Sequence, residues 1–164
     1  TSLGLIGAVS YAWASWTTET LISVDKRTEV MATQIEYIKL EMEKSKQKNI
    51  HGKPLELCSK DPLTGFFRNG CCDTANNDLG LHTVCVILTE EFLKFSLKVG
   101  NDLSTPRPEF NFPGLMPGQK WCLCANRWLE AYEQGVAPPV VTESTNIKTL
   151  EIIDFNTISM YSLN

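Results

Sequence analysis

One part of the chain, residues 82–100, reads His82-Thr-Val-Cys-Val-Ile-Leu-Thr-Glu-Glu-Phe-Leu-Lys-Phe-Ser-Leu-Lys-Val-Gly100. Its first half is apolar and rich in β-branched residues, which predicts a buried strand over His82–Thr89. Thr89 belongs to the residue types that cap helix N-termini, and Gly100 is typical of a position just after a helix. We therefore predict a strand followed directly by a helix that runs from Thr89 to about Val99.

The residues after Gly100 extend this pattern of mixed elements. Residues 101–120 hold four of the eight prolines and predict a long loop, of a length that usually binds something or wraps the core. A hairpin is predicted from Pro139–Ser144 and Lys148–Asp154, followed by a short helical turn. Between the long loop and this hairpin, a helix closed by Gly135 is predicted from apolar residues at helical spacing: Trp121, Ala125, Trp128, Leu129 and Tyr132. With a loop-rich start before residue 82, we predict a compact α+β domain over residues 55–164.

The N-terminal region has a different composition. Residues 3–16 carry no charge, and the region up to Ile22 contains one interior charge, Glu19. A helix needs about 20 apolar residues to cross a bilayer. If further apolar residues precede Thr1 in the protein, this region is long enough to form a membrane-spanning helix, which is the prediction. A buried core helix is the alternative.

A heptad stripe follows, in which apolar residues alternate spacings of three and four from Leu21 to Met42. Its upstream continuation consists of small residues, which allow membrane helices to pack closely. We predict one nearly continuous helix over residues 1–48, running from Leu3 to Lys48, and a linker over residues 49–54. A helix of this kind requires a partner, and the residues predicted to contact it are Gly4, Gly7, Ala8, Ala12, Ala14, Leu21, Val24, Met31, Ile35, Ile38 and Met42.

Charge and missing motifs exclude several classes of protein. The first 50 residues carry six basic and six acidic side chains, so the net charge of −4 belongs to the rest of the chain. An acidic balance counts against a nucleic-acid-binding protein, which presents a basic face. The chain also lacks a GxSxG elbow, a phosphate-binding glycine loop, an HExxH pair and an EF-hand pattern.

The six cysteines all lie beyond residue 57. The adjacent pair Cys71-Cys72 and the pair Cys122-Leu-Cys124 have neither the CxxC spacing of thioredoxin-type sites nor the usual spacing of zinc ligands. We expect buried, reduced, structural thiols, and keep disulfides and a metal or reactive-thiol site as alternatives. The candidate members of such a thiol or metal site are Cys71, Cys72, His82, Cys85, Cys122 and Cys124.

The geometry of the predicted strand limits that site. His82 and Cys85 would point to opposite faces of a strand and could not share one metal ion. No cofactor is predicted, and zinc would be the metal if one were bound. Asp73 and Asp78 could form an acid/base cluster with His82, but aspartates in a turn rich in Asn and Gly commonly close the turn.

A second candidate site is polar and lies in the long loop. Asp102, Arg107 and Glu109 stand beside Pro106 and Pro108. Arg107 could clamp an anion or a carboxylate. We favour the interpretation that Arg107 and Asp102 attach the loop to the core by hydrogen bonds.

Five blocks of the sequence resemble a known family. They read Asp61-Pro-Leu-Thr-Gly-Phe-Phe-Arg-Asn-Gly-Cys-Cys72, His82-Thr-Val-Cys85, Asn101-Asp-Leu-Ser-Thr-Pro-Arg-Pro-Glu-Phe-Asn-Phe-Pro-Gly-Leu-Met-Pro-Gly-Gln-Lys-Trp-Cys-Leu-Cys124, Arg127-Trp-Leu-Glu-Ala131 and Gly135-Val-Ala-Pro-Pro-Val-Val141. Residues 55–158 are similar to the bacterial domain-of-unknown-function family 2237. The resemblance implies no established activity and no catalytic residues. The usual members lack the first 50 residues found here.

The added helix leads to the functional expectation. We expect a non-catalytic accessory subunit of a large membrane complex in an organelle, a photosystem or a respiratory complex. It would cross the thylakoid or mitochondrial inner membrane once, with the C-terminal domain outside the bilayer. Its partners would be other membrane subunits and lipid, with no nucleic acid. The alternative is a membrane-tethered thiol- or metal-dependent enzyme that uses the cysteine cluster, with a reactive thiol near Arg107 or His82.

Overall fold

The structure, a computed structural model, describes residues 25–35 and 47–163 of the chain. The chain divides into two units, Thr1–Glu43 and Lys44–Asn164. In the first unit, residues 25–35 are helical, which confirms this part of the predicted helix. Met31 and Ile35 of the heptad stripe are exposed to solvent, with 60% and 50% of their surface accessible. The other predicted contact residues lie outside the described residues.

The membrane-spanning prediction concerns residues 3–22, which also lie outside the described part of the chain. Among the residues that are described, no helix combines the length and the apolar character needed to cross a bilayer. The predicted helix end at Lys48 is not helical, because Lys48 forms an isolated antiparallel bridge with Pro54.

Two short antiparallel strands lie at the centre of the second unit, β1 (Val84–Ile87) and β2 (Lys120–Leu123). β1 confirms the predicted strand in its central residues, and Val84, Cys85 and Val86 are fully buried. β2 corrects the prediction that Trp121 begins a helix. Trp121 pairs with Val86 across the ladder, and this long-range pairing overrides a helical spacing that is only a local preference.

Each strand leads into a helix. α1 (Glu90–Lys98) begins where predicted, with the Thr89 hydroxyl accepting a hydrogen bond from the Phe92 N–H at 3.1 Å. α2 (Ala125–Glu133) follows β2 with Cys124 at its N-cap position. Each helix buries one face, as the apolar spacing predicts, and the two helices contact each other.

The core is contributed by both strands, both helices and the C-terminal segment. Trp128 of α2 is fully buried at its centre, and its indole N–H donates to the Pro138 carbonyl at 3.1 Å. Its ring stacks on Tyr132 and meets Tyr161 edge to face. Removal of these side chains from water provides the main favourable contribution to folding. Further buried members are Ile50, Leu88, Phe92, Leu93, Leu115, Val140, Ile153 and Ile158.

The predicted hairpin over residues 139–154 does not form. The region contains two 3-10 helices instead, Thr142–Ser144 and Ile147–Glu151. Asn146 lies between them and is fully buried, with its Nδ2 donating to the Cys72 carbonyl at 3.0 Å. Such side-chain hydrogen bonds to backbone groups compete with a strand ladder, which is the physical reason for the correction.

The chain ends of the second unit are packed as well. α3 (Phe155–Ser159) confirms the predicted C-terminal turn, and Asp154 caps it by accepting from the Asn156 N–H at 2.8 Å. In the segment predicted as a linker, Asn49 is 1% exposed and donates from Nδ2 to the Glu143 carbonyl at 3.1 Å. The segment therefore contributes to the packing of this unit.

Candidate thiol site

Four of the six cysteines form two disulfide bonds, Cys58–Cys85 and Cys72–Cys122. All four are buried. The ladder places Cys85 opposite Cys122, and each bonds to a cysteine of the preceding loop region. The expectation of reduced structural thiols is wrong for these four, because linear spacing does not tell which distant cysteines the fold brings together.

A possible metal centre lies in the same cluster. The sulfur atoms of Cys58, Cys72 and Cys85 all lie within 4.8 Å of one another, close enough to bind one metal ion. All three sulfurs belong to disulfides, whereas zinc binds thiolates. A metal could therefore enter this cluster only after reduction. The group includes Cys58, which the sequence analysis left out, and excludes His82.

The remaining two cysteines occupy different environments. Cys71 is 1% exposed and lies outside both disulfides. Cys124 also lies outside them, is half-buried, and occupies the N-cap position of α2. The loop that precedes β1 is fastened to this helix end, since the Ala125 N–H donates to the Leu81 carbonyl at 3.0 Å.

That loop carries a buried carboxylate bonded to an imidazole. The His82 Nδ1 atom lies 2.6 Å from the Asp78 Oδ1 atom, and the His82 backbone N–H donates to Oδ2 at 2.9 Å. The Thr74 hydroxyl also donates to Oδ2, at 3.0 Å. The Asp78 side chain is fully buried, while 39% of the His82 side chain is exposed. The carboxylate thus fixes both the ring and the backbone of His82.

Electrostatics links His82 to Cys124. A hydrogen bond to Cys124 raises the pKa of His82 from 6.5 to about 9; burial opposes the rise, and Asp78 adds to it. Burial works against ionisation of Asp78, but its hydrogen bonds with His82 and Thr74 prevail and hold the pKa of this carboxyl below its ordinary value. His82 is therefore protonated near neutral pH when it contacts the sulfur.

Gly80 makes the contact between sulfur and imidazole sterically feasible. A Cβ atom at this position would lie 3.0 Å from the Cys124 Sγ atom and 3.0 Å from the His82 Cε1 atom. The neighbouring Leu81 has a left-handed backbone, with φ of 46°. A non-glycine residue with a left-handed backbone is strained, and residues of this kind cluster at functional sites.

His82 and Cys124 face a cleft of about 540 Å³. Its walls come from three regions of the chain, namely the turn after Thr64, the long loop and β2. They include aromatic rings, two arginines and one carboxylate: Phe66, Arg68, Asp102, Arg107, Phe110, Phe112 and Trp121. A pocket of this size that combines apolar walls with a few polar groups is typical of a small-molecule site.

The polar candidates in the long loop have separate roles. Asp102 Oδ1 accepts from the backbone N–H groups of Ser104 and Thr105, each at 3.0 Å. Hydrogen bonds from Thr105, and then from Ser104, hold the pKa of Asp102 below its usual value, with a further contribution from Arg107. Asp102 and Arg107 both line the cleft, and Glu109 does not.

Comparison with known protein families gives a match over most of the chain. A sequence model of the family described as "Uncharacterized protein conserved in bacteria (DUF2237)" matches residues 48–162. The chain belongs to the DUF2237 family. This confirms the resemblance noted in the sequence. No curated protein matches the chain.

Membership in DUF2237 corrects the predicted location. The family is described as bacterial, which contradicts a placement in the thylakoid or mitochondrial inner membrane. The predictions of a single-pass organellar protein, and of a part in photosynthesis or organellar electron transport, are therefore wrong. An uncharged N-terminal region does not by itself distinguish an organellar protein from a bacterial one.

In the DUF2237 domain, the six candidate thiol-site residues fall into separate groups. His82 and Cys124 come together, three cysteines belong to disulfides, and Cys71 is buried away from the cleft lining. Asp78, which its Asn/Gly-rich surroundings in the sequence identify as a turn residue, is the carboxylate that bonds to His82. The signal that could have identified it is its position four residues before His82, with a glycine between them.

Proposed function

We propose that this DUF2237 domain is a thiol-dependent enzyme in which Cys124 is the nucleophile and His82 its proton acceptor. The observation that carries the proposal is the Asp78–His82 hydrogen bond at the wall of a cleft, where the His82 ring and the Cys124 sulfur both border Gly80. A nucleophile, a base and a third group that orients the base form the recurring arrangement of enzymes that use covalent catalysis.

Asp78 acts on His82 as a positioning residue. Its carboxylate occupies the Nδ1 side of the ring, which leaves Nε2 as the nitrogen that exchanges a proton with the thiol. The same negative charge stabilises the imidazolium that forms when the thiol loses its proton. Because this carboxylate is fully buried and holds three hydrogen bonds, the ring orientation is fixed before substrate binds.

Transfer of the thiol proton to His82 generates the thiolate of Cys124 in the proposed reaction. A helix N-terminus and an adjacent imidazolium both stabilise negative charge on sulfur. In the proposed reaction this thiolate attacks an electrophilic carbon of the substrate and forms a carbon–sulfur bond. The leaving group departs with the bonding electron pair and receives a proton from His82.

Alkylation kinetics test the proposal. We expect iodoacetamide to modify Cys124 at least about tenfold faster than a free cysteine at neutral pH, because His82 accepts the proton of the thiol. Peptide mapping under non-reducing conditions identifies the alkylated residue. Cys124→Ser should abolish the fast reaction, whereas the matched variant Cys71→Ser should leave it unchanged. A Cys124 that reacts no faster than free cysteine would contradict the proposal.

The accessory-subunit role is the second candidate. It is favoured by the exposure of Val30, Met31 and Ile35 on the helical residues 25–35. Such a helix gains stability from a partner that covers its apolar side. Hydrodynamic sizing of the full chain, with Met31→Glu/Ile35→Glu as the comparison, tests this role; a monomer in both cases, with no copurifying partner, would contradict it.

A further inference from the structure

We propose that the cleft beside Cys124 selects an anionic substrate, and that Arg107 pairs with a carboxylate or phosphate group of that substrate. The inference rests on the proposed function, since it concerns the substrate that the Cys124 sulfur would attack. It identifies a class of electrophile rather than a reaction.

The first argument is the charge of the cleft. Although the chain carries a net charge of −4, the charged side chains that line the cleft are Arg68, Arg107 and protonated His82 against a single carboxylate, Asp102. The Asp102 carboxylate is already engaged by the backbone of its own turn. The cleft is therefore a positive region on an acidic protein, which favours binding of an anion.

The second argument is the way in which the long loop presents Arg107. Its backbone N–H donates to the Phe112 carbonyl at 2.7 Å, and its own carbonyl accepts from the Phe112 N–H at 3.1 Å. Gly114 lets the two sides of the loop approach, because a Cβ atom there would lie 2.4 Å from the Ser104 carbonyl oxygen. The loop is thus a braced structure, and the backbone of Arg107 is held in place.

The third argument is the availability of the guanidinium groups. Arg68 is engaged, since it donates to the Leu63 carbonyl at 3.2 Å and lies over the Trp121 ring at 5.2 Å. Arg107 has no ion-pair partner within 4.0 Å among the described residues. A guanidinium of this kind binds carboxylates and phosphates through paired hydrogen bonds. Arg107 is therefore the group that we assign to the substrate's anion.

Two alkylating probes that differ in charge test the inference. Iodoacetate and iodoacetamide react with a thiolate in the same way, with iodide as the leaving group, but only iodoacetate carries a carboxylate. We expect the ratio of the iodoacetate rate to the iodoacetamide rate at Cys124 to exceed the ratio for free cysteine by roughly tenfold, which corresponds to about 1.4 kcal/mol. The excess should decrease as salt is added.

Arg107→Gln should remove this excess, so that the ratio of the iodoacetate rate to the iodoacetamide rate at Cys124 falls to that of free cysteine. The matched control is Arg127→Gln, which removes the same charge from α2, where Arg127 pairs with Glu130 at 2.8 Å outside the cleft lining. An iodoacetate excess that survives in Arg107→Gln, or that is absent from the native protein, would overturn the inference. A slow iodoacetamide reaction would instead overturn the proposed function, so the two failures are distinguishable.

Protection experiments separate the two sources of the anion. Acetate and inorganic phosphate, added separately, compete for Arg107 and should slow the reaction of iodoacetate with Cys124. Stronger protection by acetate assigns a carboxylate-bearing substrate, and stronger protection by phosphate assigns a phosphorylated one. If each anion slowed the reaction of the Arg107→Gln variant as much as that of the native protein, neither anion would act through Arg107. That result would overturn the inference.

Discussion

Cys122 and Cys124 are two residues apart, yet the fold gives them opposite roles. Cys122 lies in β2, is 1% exposed and is bonded to Cys72. Cys124 lies just beyond the strand, at the start of α2, where it is half-buried and contacts His82. Both side chains border the same cleft. One sulfur is part of a covalent link inside the fold, and the other borders the cleft outside both disulfides.

This difference shows that the reactivity of a cysteine depends on what surrounds the sulfur rather than on the local sequence. The Cys122 sulfur is bonded to the Cys72 sulfur and lies in a buried cluster with Cys58 and Cys85. The Cys124 sulfur has an imidazole and a helix N-terminus as its neighbours, and both favour negative charge. The predictions below perturb one environment at a time.

Removal of the Cys72–Cys122 disulfide should have the largest effect on stability. The bond closes a sequence separation of 50 residues, and loss of such a link typically costs about 2–4 kcal/mol. We expect the free energy of unfolding of Cys72→Ala/Cys122→Ala to be smaller than that of the native protein by this amount. The variant should therefore unfold at a lower urea concentration. In the presence of a strong reductant, the difference between the two proteins should largely disappear. If Cys124 keeps its alkylation rate in the folded variant, the two environments are independent.

Asp78→Asn should have the next largest effect, on reactivity. The amide keeps the shape of the carboxylate but loses its charge and disrupts the bond to His82 Nδ1, so the imidazolium is less stable. We expect the alkylation rate of Cys124 at neutral pH to decrease roughly tenfold, which corresponds to about 1.4 kcal/mol in the activation free energy. Thr74→Val, which removes only one of the three hydrogen bonds to Asp78, serves as the control and should change the rate much less. Equal rates in Asp78→Asn and native protein would show that His82 needs no positioning.

Gly80→Ala should have a smaller effect of the same kind. Its Cβ atom would lie 3.0 Å from both the Cys124 sulfur and the His82 ring, so one of them must shift. We expect a decrease of a few-fold, about 0.5–1 kcal/mol in the activation free energy. The shift should also be visible as a change in the NMR titration of His82. An unchanged titration together with an unchanged alkylation rate would contradict the contact between the two side chains.

The pH dependence of stability should show the smallest effect. Because the pKa of His82 is raised in the folded protein from 6.5 to about 9, the folded state binds this proton more tightly than the unfolded state. The resulting stabilisation is complete below about pH 6.5 and is lost as pH rises through about 9. The difference in urea midpoint between native protein and His82→Gln should narrow across this range. Since 39% of the His82 side chain is exposed, solvent screening keeps the effect small.

In the Cys124→Ser background, the difference in urea midpoint that His82→Gln causes should narrow over a lower range of pH. The hydrogen bond to Cys124 is the largest cause of the raised pKa, so its removal brings the pKa of His82 closer to its ordinary value. Urea denaturation of Cys124→Ser and of Cys124→Ser/His82→Gln across the same pH series measures the change. An identical pH range with and without Cys124 would mean that Asp78 alone determines the titration of His82.

The local sequence was enough to predict α1 and the centre of β1. Thr89 caps the helix through its own hydroxyl, and Val84–Ile87 is an apolar run rich in β-branched residues, so both follow from short-range chemistry. Pro139–Ser144 and Lys148–Asp154 were predicted incorrectly as strands. There, the outcome depended on Asn146, whose side chain bonds to the Cys72 carbonyl 74 positions away.

The candidate site follows the same division. The sequence alone determined that His82 and Cys124 are chemically capable residues, that Arg107 is displayed on a proline-braced loop, and that the chain resembles DUF2237. Only the tertiary structure decided which sulfurs bond to each other, that Asp78 faces His82, and that His82 meets Cys124 beside Arg107. The physical reason is that residue types and short-range periodicity fix chemistry and local conformation, whereas bonding partners are set by contacts between distant segments. Those contacts form when the strands pair and the core closes.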